Sequence, residues 1–441
     1  MPQNQMGTKS EQEYHPKIDA LRLENQRLRI ELEKFHDSNR LFRELSKIYR
    51  NKISSFLEAV KSKTINRSNN FYENNFDAGF KPYQVRPLHS AHNNRKRVLH
   101  VVGNFWTGGS ARLVVDIIEH LGHIYEQEVV TRDIPERPAY VGLTIHQCKE
   151  LVESRPILSI LNSFKPDFLH IHYLGNHNNE WSELDWKWYN NVFQAAKKHG
   201  CKIIENINIP TDPYVCDAVK YYVYVSDYVK REFSYPDARN VVIYPGSNFK
   251  LFNRSDEYPL SDDCIGMVYR LDGDKINENA IDVFIDVVQR RSETKALIVG
   301  GGSLLEVYRN AVRKAGVSDA FTFTGYVSYE ELPALYKRMS VFVAPVRRES
   351  FGQVTPFAMN MEIPVVAYRV GALPEIVDDE ELLAPPGDSH KLSDIVIGLL
   401  DNGERRFQIG TKNRRRAKQL FSVETMIDGY RTLYDELTEP D

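Results

Sequence analysis

From residue 95 onward the chain alternates short β-branched runs with amphipathic stretches, and this alternation limits the possible folds more than any other feature. A repeated strand–helix order produces a parallel sheet that is covered by helices on both faces. Helices fit between several of the predicted strands, for example at 110–121 and 187–199. The strands predicted in this first part are 97–102, 127–131, 167–172, 202–207, 221–225 and 241–244.

The same alternation starts again at residue 264. It predicts strands at 264–269, 295–301, 320–325, 341–346, 364–368 and 381–385, with helices at 277–291, 303–315, 330–338, 352–361 and 389–400. The fold class is therefore α/β, with two doubly wound halves facing a cleft, because ligands of such sheets bind beyond the carboxyl ends of the strands. We divide this region into an N-terminal half (95–248), a C-terminal half (249–420) and a final helix (421–441) that should pack back on the N-terminal half.

Residues 18–60 repeat apolar side chains at alternating spacings of three and four, which is the a/d pattern of a coiled coil. Asn25 and Asn39 fall at a positions, where a buried Asn fixes the register and favours a parallel dimer. We interpret residues 1–62 as a helix that forms a homo-oligomer. A second apolar stripe leaves a trimer or tetramer open, and a single helix lying on the chain's own domain is the other alternative. Residues 63–94, rich in Asn, Ser and His, are predicted to be a linker.

Charge and composition exclude several classes of protein. The chain has 57 basic and 60 acidic side chains, so it has no excess of positive charge to attract nucleic acid. Its four cysteines lack metal-ligand spacing and are predicted to be reduced thiols. No run approaches the ~18 apolar residues of a membrane helix, and the first residues lack the apolar core of a signal peptide. We therefore expect a cytoplasmic protein with at most peripheral contact with the inner face of the plasma membrane.

Two groups of residues in the N-terminal half stand at strand ends. The strand 97–102 runs into a glycine-rich turn, which ends in Gly108 and Gly109 before a helix. Such a turn lets backbone N–H groups approach a ligand closely, although a plain tight loop is an equal alternative. His170 and His172 end the third strand and share one of its faces. A histidine at a strand end is more often structural, but the position at the cleft rim favours a functional role.

The candidate residues of the C-terminal half follow two of its strands. Arg270 and Lys275 follow the first strand. Together they can clamp a diphosphate, with Arg as a planar fork and Lys as a point charge; a solvated surface is the alternative. Glu349 follows a later strand, and Ser350-Phe351-Gly352 then open a helix. Free backbone N–H groups at that point can hold a phosphate or a sugar hydroxyl.

Taken together, these residues resemble the retaining GT-B glycosyltransferases of family GT4, the group 1 nucleotide-sugar transferases. The resemblance covers about residues 97–435 and is strongest in the C-terminal half. There the segments LIVGGGS, FTGYVSYEELPALYKRMSVFVAPV, ESFG and IPVVAYRVGALPEIV appear in the family's order and spacing. The segment YPGSNFKLF at 244–252 resembles the family's inter-domain loop, and the heptad region lies outside the resemblance.

The resemblance also implies roles for individual residues. Gly108 and Gly109 match the glycine loop that faces donor phosphate and acceptor, and His172 matches the histidine beside the donor sugar. Arg270 and Lys275 match the pair on the diphosphate. Glu349 matches the first Glu of the family's Glu-x7-Glu motif, near the hydroxyls of the transferred sugar. The predicted catalytic residues are thus Arg270, Lys275, Glu349 and His172, and the predicted donor-binding positions also include Gly246, Gly301, Tyr326, Ser350, Phe351, Gly352, Thr355 and Phe357.

One departure from the family's motif concerns the nucleotide. The second Glu of that motif should fall at position 357 and accept hydrogen bonds from the ribose hydroxyls, but Phe357 stands there. A ribose 2′-hydroxyl without a partner would cost roughly 1–3 kcal/mol, whereas a deoxyribose has none to bury. This predicts a dTDP-sugar donor, with dTDP-rhamnose as the example. A slightly shifted helix, in which Thr355 or a backbone carbonyl makes the ribose contact, is the alternative. Asn360 and Glu362 also stand where the family has a small residue and Gly.

The resemblance implies transfer of a glycosyl group with retention at the anomeric carbon, without a metal or other cofactor. The leaving diphosphate, neutralised by Arg270 and Lys275, can itself help to deprotonate the incoming hydroxyl on the same face of the sugar. The expected partners are a nucleotide-sugar donor and a glycan or lipid-linked acceptor of bacterial surface polysaccharide synthesis. The alternative is a non-catalytic coiled-coil scaffold with a degenerate sugar-nucleotide-binding domain, which Phe357 favours.

Overall fold

The computed structural model describes residues 82–87, 95–106, 108–135, 138–174, 180–236, 238–253 and 263–438. The predicted oligomerisation helix and most of the predicted linker lie outside the described residues. The description below therefore concerns the two predicted halves and the final helix.

The described strands of the N-terminal half are β1 (Tyr83–Gln84), β2 (Lys96–Asn104), β3 (Tyr125–Asp133), β4 (Tyr140–Val141), β5 (Ile145–Gln147), β6 (Phe168–Tyr173), β7 (Lys202–Ile207), β8 (Val219–Tyr224) and β9 (Asn240–Val242). Seven of them form one parallel sheet in the order β5-β3-β2-β6-β7-β8-β9. The predicted linker contributes β1, which pairs with β4 in a separate two-stranded sheet. The helices of this half are α1 (Gly109–Leu121), α2 (Arg155–Phe164), α3 (Glu180–His199) and α4 (Asp227–Phe233).

The sequence of β2 shows why this sheet forms. Its run RVLHVV is buried almost throughout, as expected for a central strand with helices on both faces. Leu99 and Val101 pack in a cluster with residues of α2 and α3 on one face. Val98 packs with residues of α1 on the other face. Alternate residues of the strand therefore pack against helices on opposite faces of the sheet.

The described strands of the C-terminal half are β10 (Cys264–Val268), β11 (Lys295–Val299), β12 (Phe321–Phe323), β13 (Val341–Ala344), β14 (Val365–Tyr368) and β15 (Leu383–Ala384). They form a second parallel sheet in the order β12-β11-β10-β13-β14-β15. The remaining helices are α5 (Asp282–Arg290), α6 (Leu305–Lys314), α7 (Leu332–Tyr336), α8 (Val354–Asn360), α9 (Leu373–Val377), α10 (Ser389–Leu400), α11 (Gly403–Leu420) and α12 (Val423–Thr438). Among the described helices, none has the length and apolar character that a membrane crossing requires.

The α/β prediction is confirmed, and each of the twelve predicted strands coincides with a described strand, although the ends differ. The helix predicted at 277–291 is divided, because a 3-10 turn at Glu278–Ile281 precedes α5. Four helices, α2, α4, α9 and α11, were not predicted. The buried face of α11 includes Arg406, Gly410 and Asn413, so its sequence lacks the apolar periodicity that would have indicated a helix.

Two chain segments cross between the halves side by side. Ser247 and Ser422 form a parallel bridge, in which the Ser247 amide donates to the Phe421 carbonyl oxygen at 2.9 Å. The Val423 amide in turn donates to the Ser247 carbonyl oxygen at 3.1 Å. Gly246 lies at this crossing, where an added Cβ would be 2.5 Å from the Val423 Cα. The position therefore admits only glycine without a backbone shift.

Beyond the second crossing, α12 packs on the N-terminal half. Its apolar face joins a core cluster with α1 and with one face of the N-terminal sheet. Tyr430 and Tyr434 are fully buried in that cluster. The chain thus completes the core of its first half with one of its last elements.

Candidate functional site

Two loops meet at the carboxyl ends of β10 and β13, the two central strands of the C-terminal sheet. Lys275 lies on the loop after β10, and its Nζ donates to Glu349 Oε1, on the loop after β13, at 2.8 Å. The loops are also joined by their backbones, since the Arg347 amide donates to the Lys275 carbonyl oxygen at 2.8 Å. The Lys275 side chain is 41% exposed, whereas that of Glu349 is 1% exposed. A buried carboxylate therefore lies beneath a cation that solvent can reach.

Two glycines allow the chain to pack closely around Glu349. Gly352 has a φ of +82°, and an added Cβ there would lie 2.9 Å from Glu349 Cγ. Gly371 has a φ of +54° and packs against the Glu349 carbonyl oxygen, which accepts from the Ala372 amide at 3.1 Å. Glycine takes these left-handed conformations without the strain that a side chain brings. Among the described residues, none donates a hydrogen bond to Glu349 Oε2, which leaves an unused acceptor at the floor of the site.

Arg270 also follows β10, and it is paired with the acidic side chains of its own loop. Its Nη2 contacts Asp274, and its Nε lies 3.4 Å from Asp272 Oδ2. The Arg270 side chain is 41% exposed, like that of Lys275. The two predicted diphosphate ligands thus each face a carboxylate in this conformation. A bound diphosphate would have to compete with these carboxylates for the two cations.

The loop after β11 lies beside Arg270. Ser303 donates from both its amide and its Oγ to Asp272 Oδ1, each at 2.8 Å. Gly301 packs against a ring from the loop after β12, because an added Cβ would lie 2.5 Å from Tyr326 Cδ2. The structure therefore brings Gly301 and Tyr326 to the same edge of the sheet as Arg270.

The segment after Glu349 runs into α8 and is well packed. Phe351 is buried, with its ring centroid 5.7 Å from that of Tyr244 and 5.5 Å from that of Phe421, so it lies at the junction of the two halves. Ser350 is half-buried and Thr355 is fully buried. Their predicted donor contacts therefore depend more on the backbone than on freely accessible side chains.

A buried tyrosine adds a protonated hydroxyl near Glu349. Burial raises the pKa of Tyr269 well above its ordinary value, and the negative charge of Glu349 raises it further. The hydroxyl group therefore stays protonated at neutral pH. Sequence reasoning missed this residue, which reads as an ordinary apolar position at the end of a strand.

Phe357 stands at the position where the resemblance expects a glutamate, and its ring is buried in an aromatic cluster. It stacks on Phe252, with 3.8 Å between the ring centroids and 3° between the planes. Tyr329 and Tyr336 approach it edge-on, with centroids 6.0 and 6.4 Å away. Phe357 is only 3% exposed. The predicted contact between this ring and a ribose is therefore limited to a small part of its surface.

Asn360 and Glu362, the two other departures from the family's pattern, make local contacts inside the C-terminal half. Asn360 is fully buried, and its Nδ2 donates to the Phe252 carbonyl oxygen at 2.6 Å. Glu362 adopts a φ of +60°, a conformation that favours glycine. Its carboxylate pairs with Arg414 at 2.8 Å. Both residues thus have structural partners inside the C-terminal half.

In the N-terminal half, Gly108 and Gly109 lie at the start of α1. An added Cβ at either glycine would meet no atom of the described residues within 4 Å, and Gly108 has an extended φ of 174° that any residue can adopt. Neither crowding nor backbone conformation requires glycine here. Open space beside a helix N-terminus agrees with a surface that is kept clear for a ligand.

His172 lies in a different environment from Lys275 and Glu349. It is fully buried on β6, and its Nε2 faces His100 Nδ1, on β2, at 3.4 Å. His170, two residues earlier, contributes a third buried ring, with its centroid 4.1 Å from that of His172. His172 could therefore contact a donor sugar only if the residues that bury it moved aside. Gly246 likewise lies at the crossing of the chain and not among the groups around Glu349.

Residues from other elements complete this histidine cluster. His100 Nε2 lies 2.9 Å from Gln127 Oε1, and His170 Nδ1 lies 2.6 Å from the Tyr434 hydroxyl. Burial lowers the pKa of His100 to about 4, and it lowers the pKa of His170 and His172 well below the ordinary value. Sequence reasoning missed His100, although it lies on the same face of the sheet as the other two and pairs with His170 in register.

Comparison with known families identifies the C-terminal half. Residues 250–416 match the model of a family described as "Glycosyl transferases group 1". The C-terminal half contains a glycosyltransferase group 1 domain. This group 1 domain includes Arg270, Lys275 and Glu349 with the loops that hold them, whereas the glycine turn and the histidine cluster lie outside the matched residues.

Two curated relatives carry glycosyltransferase names. The first, an uncharacterized glycosyltransferase of Methanocaldococcus jannaschii, is 26% identical over 359 residues, which are 76% of this chain and 96% of that protein. The second, the O-antigen chain mannosyltransferase C of Escherichia coli, is 29% identical over 164 residues, which are 36% of this chain and 44% of that protein. The match to the second relative thus spans less than half of its length.

The match to one solved structure extends beyond the group 1 domain of this chain. The Anabaena protein HepE, in complex with UDP and glucose, matches with a TM-score of 0.61 at 16% sequence identity. The match covers 78% of this chain and 100% of that chain. This likeness supports the GT-B type of fold, with two α/β halves, for the described part of the chain.

Proposed function

We propose that the chain is a retaining glycosyltransferase that transfers a sugar from a nucleoside diphosphate to a hydroxyl group of a glycan or lipid-linked acceptor. The observation that carries this proposal is the Lys275–Glu349 pair, at 2.8 Å, at the carboxyl edge of a group 1 domain. A buried carboxylate with an unused oxygen is suited to hold sugar hydroxyls. An accessible cation above it is suited to hold the leaving phosphate.

The two cations would act on charge that develops as the sugar leaves. Both Arg270 and Lys275 are half-exposed, so a diphosphate can reach them and replace their carboxylate partners. Fixed positive charges at a leaving group act more strongly in a closed site than in water and commonly contribute about 10²-fold or more to the rate. The diphosphate then remains on the face from which the acceptor attacks, where its oxygen can take the hydroxyl proton. This order of steps retains the configuration at the anomeric carbon and requires no metal ion.

The donor is proposed to be a dTDP-sugar, such as dTDP-rhamnose. The support is the missing carboxylate at position 357, since Phe357 offers no acceptor to a ribose 2′-hydroxyl. The buried, stacked position of the ring reduces the expected preference to about 1 kcal/mol, the lower part of the usual range for an unmade hydrogen bond. The Anabaena structure was solved with UDP, and a GDP-mannose-dependent mannosyltransferase of Mycobacterium tuberculosis is among the relatives, so uridine and guanosine donors are the proper competitors.

A thermal-shift panel with UDP, GDP, ADP and dTDP tests the donor proposal, because a ligand that binds only the folded chain raises its melting temperature. We expect dTDP to stabilise the chain most and Lys275→Ala to remove most of the shift. Lys314→Ala, on an exposed part of α6, is the matched control and should keep the shift. If UDP or GDP binds at least as tightly as dTDP, the inference from Phe357 is wrong.

Slow hydrolysis of a nucleotide-sugar separates an enzyme from a non-catalytic scaffold. The retained Lys275–Glu349 pair favours the enzyme. Release of free sugar by the wild type, and its loss in Glu349→Gln, would support transfer chemistry. Binding without any release of sugar from dTDP-, UDP- or GDP-sugars would support the scaffold.

The heptads at 18–60 add a proposal about assembly. We expect the full chain to form a homo-oligomer, most simply a parallel dimer, through this segment. Light scattering on the full chain and on a chain that starts near residue 90 measures the change. A monomeric full chain would contradict the proposal.

A further inference from the structure

The histidine cluster of the N-terminal half contains two residues, His100 and His170, to which the proposed transfer reaction assigns no role. One ring nitrogen from each of His100, His170 and His172 lies within 4.8 Å of those from the other two, and all three residues are fully buried. They come from β2 and β6, which are neighbours at the centre of the sheet. A fully buried group of three imidazoles is unusual, because a buried polar nitrogen without a partner costs about 1–3 kcal/mol.

The hydrogen bonds of the cluster point outward. His100 Nε2 lies 2.9 Å from Gln127 Oε1, which can only accept, and His170 Nδ1 lies 2.6 Å from the Tyr434 hydroxyl, which can accept or donate. A neutral imidazole that donates through one nitrogen has a lone pair on the other. His100 Nδ1 then carries a lone pair. His170 Nε2 carries one when the Tyr434 hydroxyl accepts from Nδ1, and among the described residues no group donates to it, although the side chain of Asn206 also interacts with this ring. Metal-binding histidines typically have this arrangement, with the outer N–H held by an oxygen acceptor.

The separation of two nitrogens fits a shared ion. His100 Nδ1 and His172 Nε2 face each other at 3.4 Å, which is long for a hydrogen bond between them. Two nitrogens bound at 2.0–2.1 Å to a tetrahedral ion lie about 3.3 Å apart. Two facing lone pairs repel, so either a proton or a cation must join them. His170 favours a cation over a proton, because its Nε2 receives no hydrogen bond from the described residues and a ring nitrogen of this residue lies within 4.8 Å of the other two.

We propose that His100, His170 and His172 bind a zinc ion inside the N-terminal half. The group contains imidazoles and no carboxylate, which selects Zn²⁺ or a similar transition metal over Mg²⁺ and Ca²⁺. Three imidazoles are the protein ligands of known zinc sites, in which a water molecule takes the fourth position. Burial keeps the rings neutral, the form in which imidazole binds metals.

The proposed ion has a structural consequence. It links β2 to β6 directly, and through the Tyr434 hydroxyl it also holds α12, which arrives from the C-terminal half. The site shares none of Arg270, Lys275 and Glu349, so the transfer itself stays independent of a metal. It does use His172, and a zinc-bound His172 could not also contact the donor sugar. Because the cluster lies beneath α12, we expect the ion to be taken up as the chain folds.

The experiment uses the full chain without an affinity tag, unfolded in urea with a chelator and refolded with Zn²⁺, with Co²⁺ or with Mg²⁺. We expect one Zn²⁺ per chain by elemental analysis after dialysis, a higher melting temperature than with Mg²⁺, and visible absorption bands of tetrahedral Co²⁺. His100→Gln and His172→Gln should lose the metal. His390→Gln is the matched control, since that side chain is 84% exposed and lies outside the cluster.

Tyr434→Phe tests the outer hydrogen bond and should weaken zinc affinity about 10-fold while keeping the stoichiometry. If the glutamine variants fail to fold, the Co²⁺ spectrum of the wild type is decisive, because its bands report tetrahedral coordination by nitrogen and His100, His170 and His172 are the group of imidazoles that the described residues bring together. A wild-type chain that refolds without retaining Zn²⁺ and shows no Co²⁺ bands would overturn the proposal. Retention of the metal by folded His100→Gln and His172→Gln would overturn it as well.

Discussion

Each half of the molecule holds an ion pair with a buried carboxylate, but the two cations differ in their access to solvent. In the C-terminal half, Lys275 is 41% exposed above a Glu349 that is 1% exposed. In the N-terminal half, Arg112 and Asp116 on α1 are 6% and 3% exposed. A cation at the surface can exchange its carboxylate for a ligand, whereas a cation sealed on all sides serves the fold.

The surroundings of Arg112 explain why it is sealed. Its guanidinium carbon lies 4.7 Å from the centroid of the Tyr83 ring and 5.1 Å from that of the Tyr329 ring. Tyr83 belongs to the short strand β1, and Tyr329 belongs to the C-terminal half. Arg112 therefore links α1 to β1 and to the C-terminal half. The two ion pairs differ more in the exposure of their cations than in their geometry.

The largest expected effect is on stability, at the sealed pair. Asp116→Ala leaves the buried Arg112 without its nearest partner and should lower the free energy of unfolding by about 3–5 kcal/mol. Asp274→Ala, which removes the partner of the half-exposed Arg270, should cost less than about 1 kcal/mol. Urea denaturation of both variants measures the difference. Equal losses would mean that burial does not distinguish the two pairs.

At the accessible site, the expected effect is on the reaction. Arg270→Ala should reduce the rate of nucleotide-sugar turnover about 100-fold, or ~3 kcal/mol, because the leaving diphosphate loses a positive charge. Its free energy of unfolding should stay within about 1 kcal/mol of the wild type. Arg313→Ala, on the exposed end of α6, is the control for the loss of an arginine. Full turnover by a folded Arg270→Ala variant would remove Arg270 from the site.

Gly246 and Gly109 differ in the same way in their backbone surroundings, since Gly246 is crowded and Gly109 is open. Gly246→Ala should destabilise the chain by about 1–3 kcal/mol, because the new Cβ meets the Val423 Cα at 2.5 Å. Gly109→Ala places its Cβ in open space and should leave stability unchanged or slightly raised. Thermal and urea unfolding compare the two variants. Loss of nucleotide binding in a stable Gly109→Ala variant would mark that space as a ligand surface.

The smallest expected effect concerns pH. Glu375 on α9 accepts hydrogen bonds from the Asp227 and Tyr228 amides of α4, at 3.0 and 2.8 Å, and so connects the halves. Burial raises its pKa from 4.5 to about 7, and the nearby negative charge of Asp227 adds to this increase. A raised pKa means that the folded chain holds this proton more tightly than the unfolded chain. The stability that Glu375 contributes is therefore fully present below pH 4.5 and is lost as the pH rises through 7.

Glu375→Gln removes the titration, but its single oxygen replaces only one of the two carboxylate oxygens that accept from the Asp227 and Tyr228 amides. The comparison therefore uses the slope of stability against pH and not the absolute stability. Between pH 5 and 8 the wild type should lose about 1 kcal/mol relative to the variant, a value reduced for partial exposure. Urea denaturation across that pH range measures the difference. Parallel pH profiles for the two proteins would show that Glu375 does not titrate in this window.

The sequence predicted the order of strands and helices because the buried strands are continuous β-branched runs. It did not predict where they end. The strand expected at 320–325 stops at Phe323, since Gly325 turns with a φ of +69°. It also missed α11, whose buried face includes Arg406, Gly410 and Asn413. Tertiary contacts, and not local periodicity, determine such elements.

The same limit applies to the site. Arg270, Lys275 and Glu349 were selected as residue types at strand ends, but the pairing of Lys275 with Glu349 joins residues 74 positions apart. The contact between His170 and Tyr434 joins residues 264 positions apart. Spacing along a chain carries no information about such contacts unless the fold is known.

The position of α12 has a consequence for the order in which the chain becomes folded during synthesis. Residues 95–248 leave the ribosome well before Val423–Thr438, so the part of one sheet face that α12 covers beside α1 is open during that interval. That face includes His170 and the apolar residues that later contact Tyr430 and Tyr434. Exposed apolar surface on a nascent chain invites aggregation. The first half to be translated is therefore the last to be completed, and a chain stopped before α12 would lack part of the core of its N-terminal half.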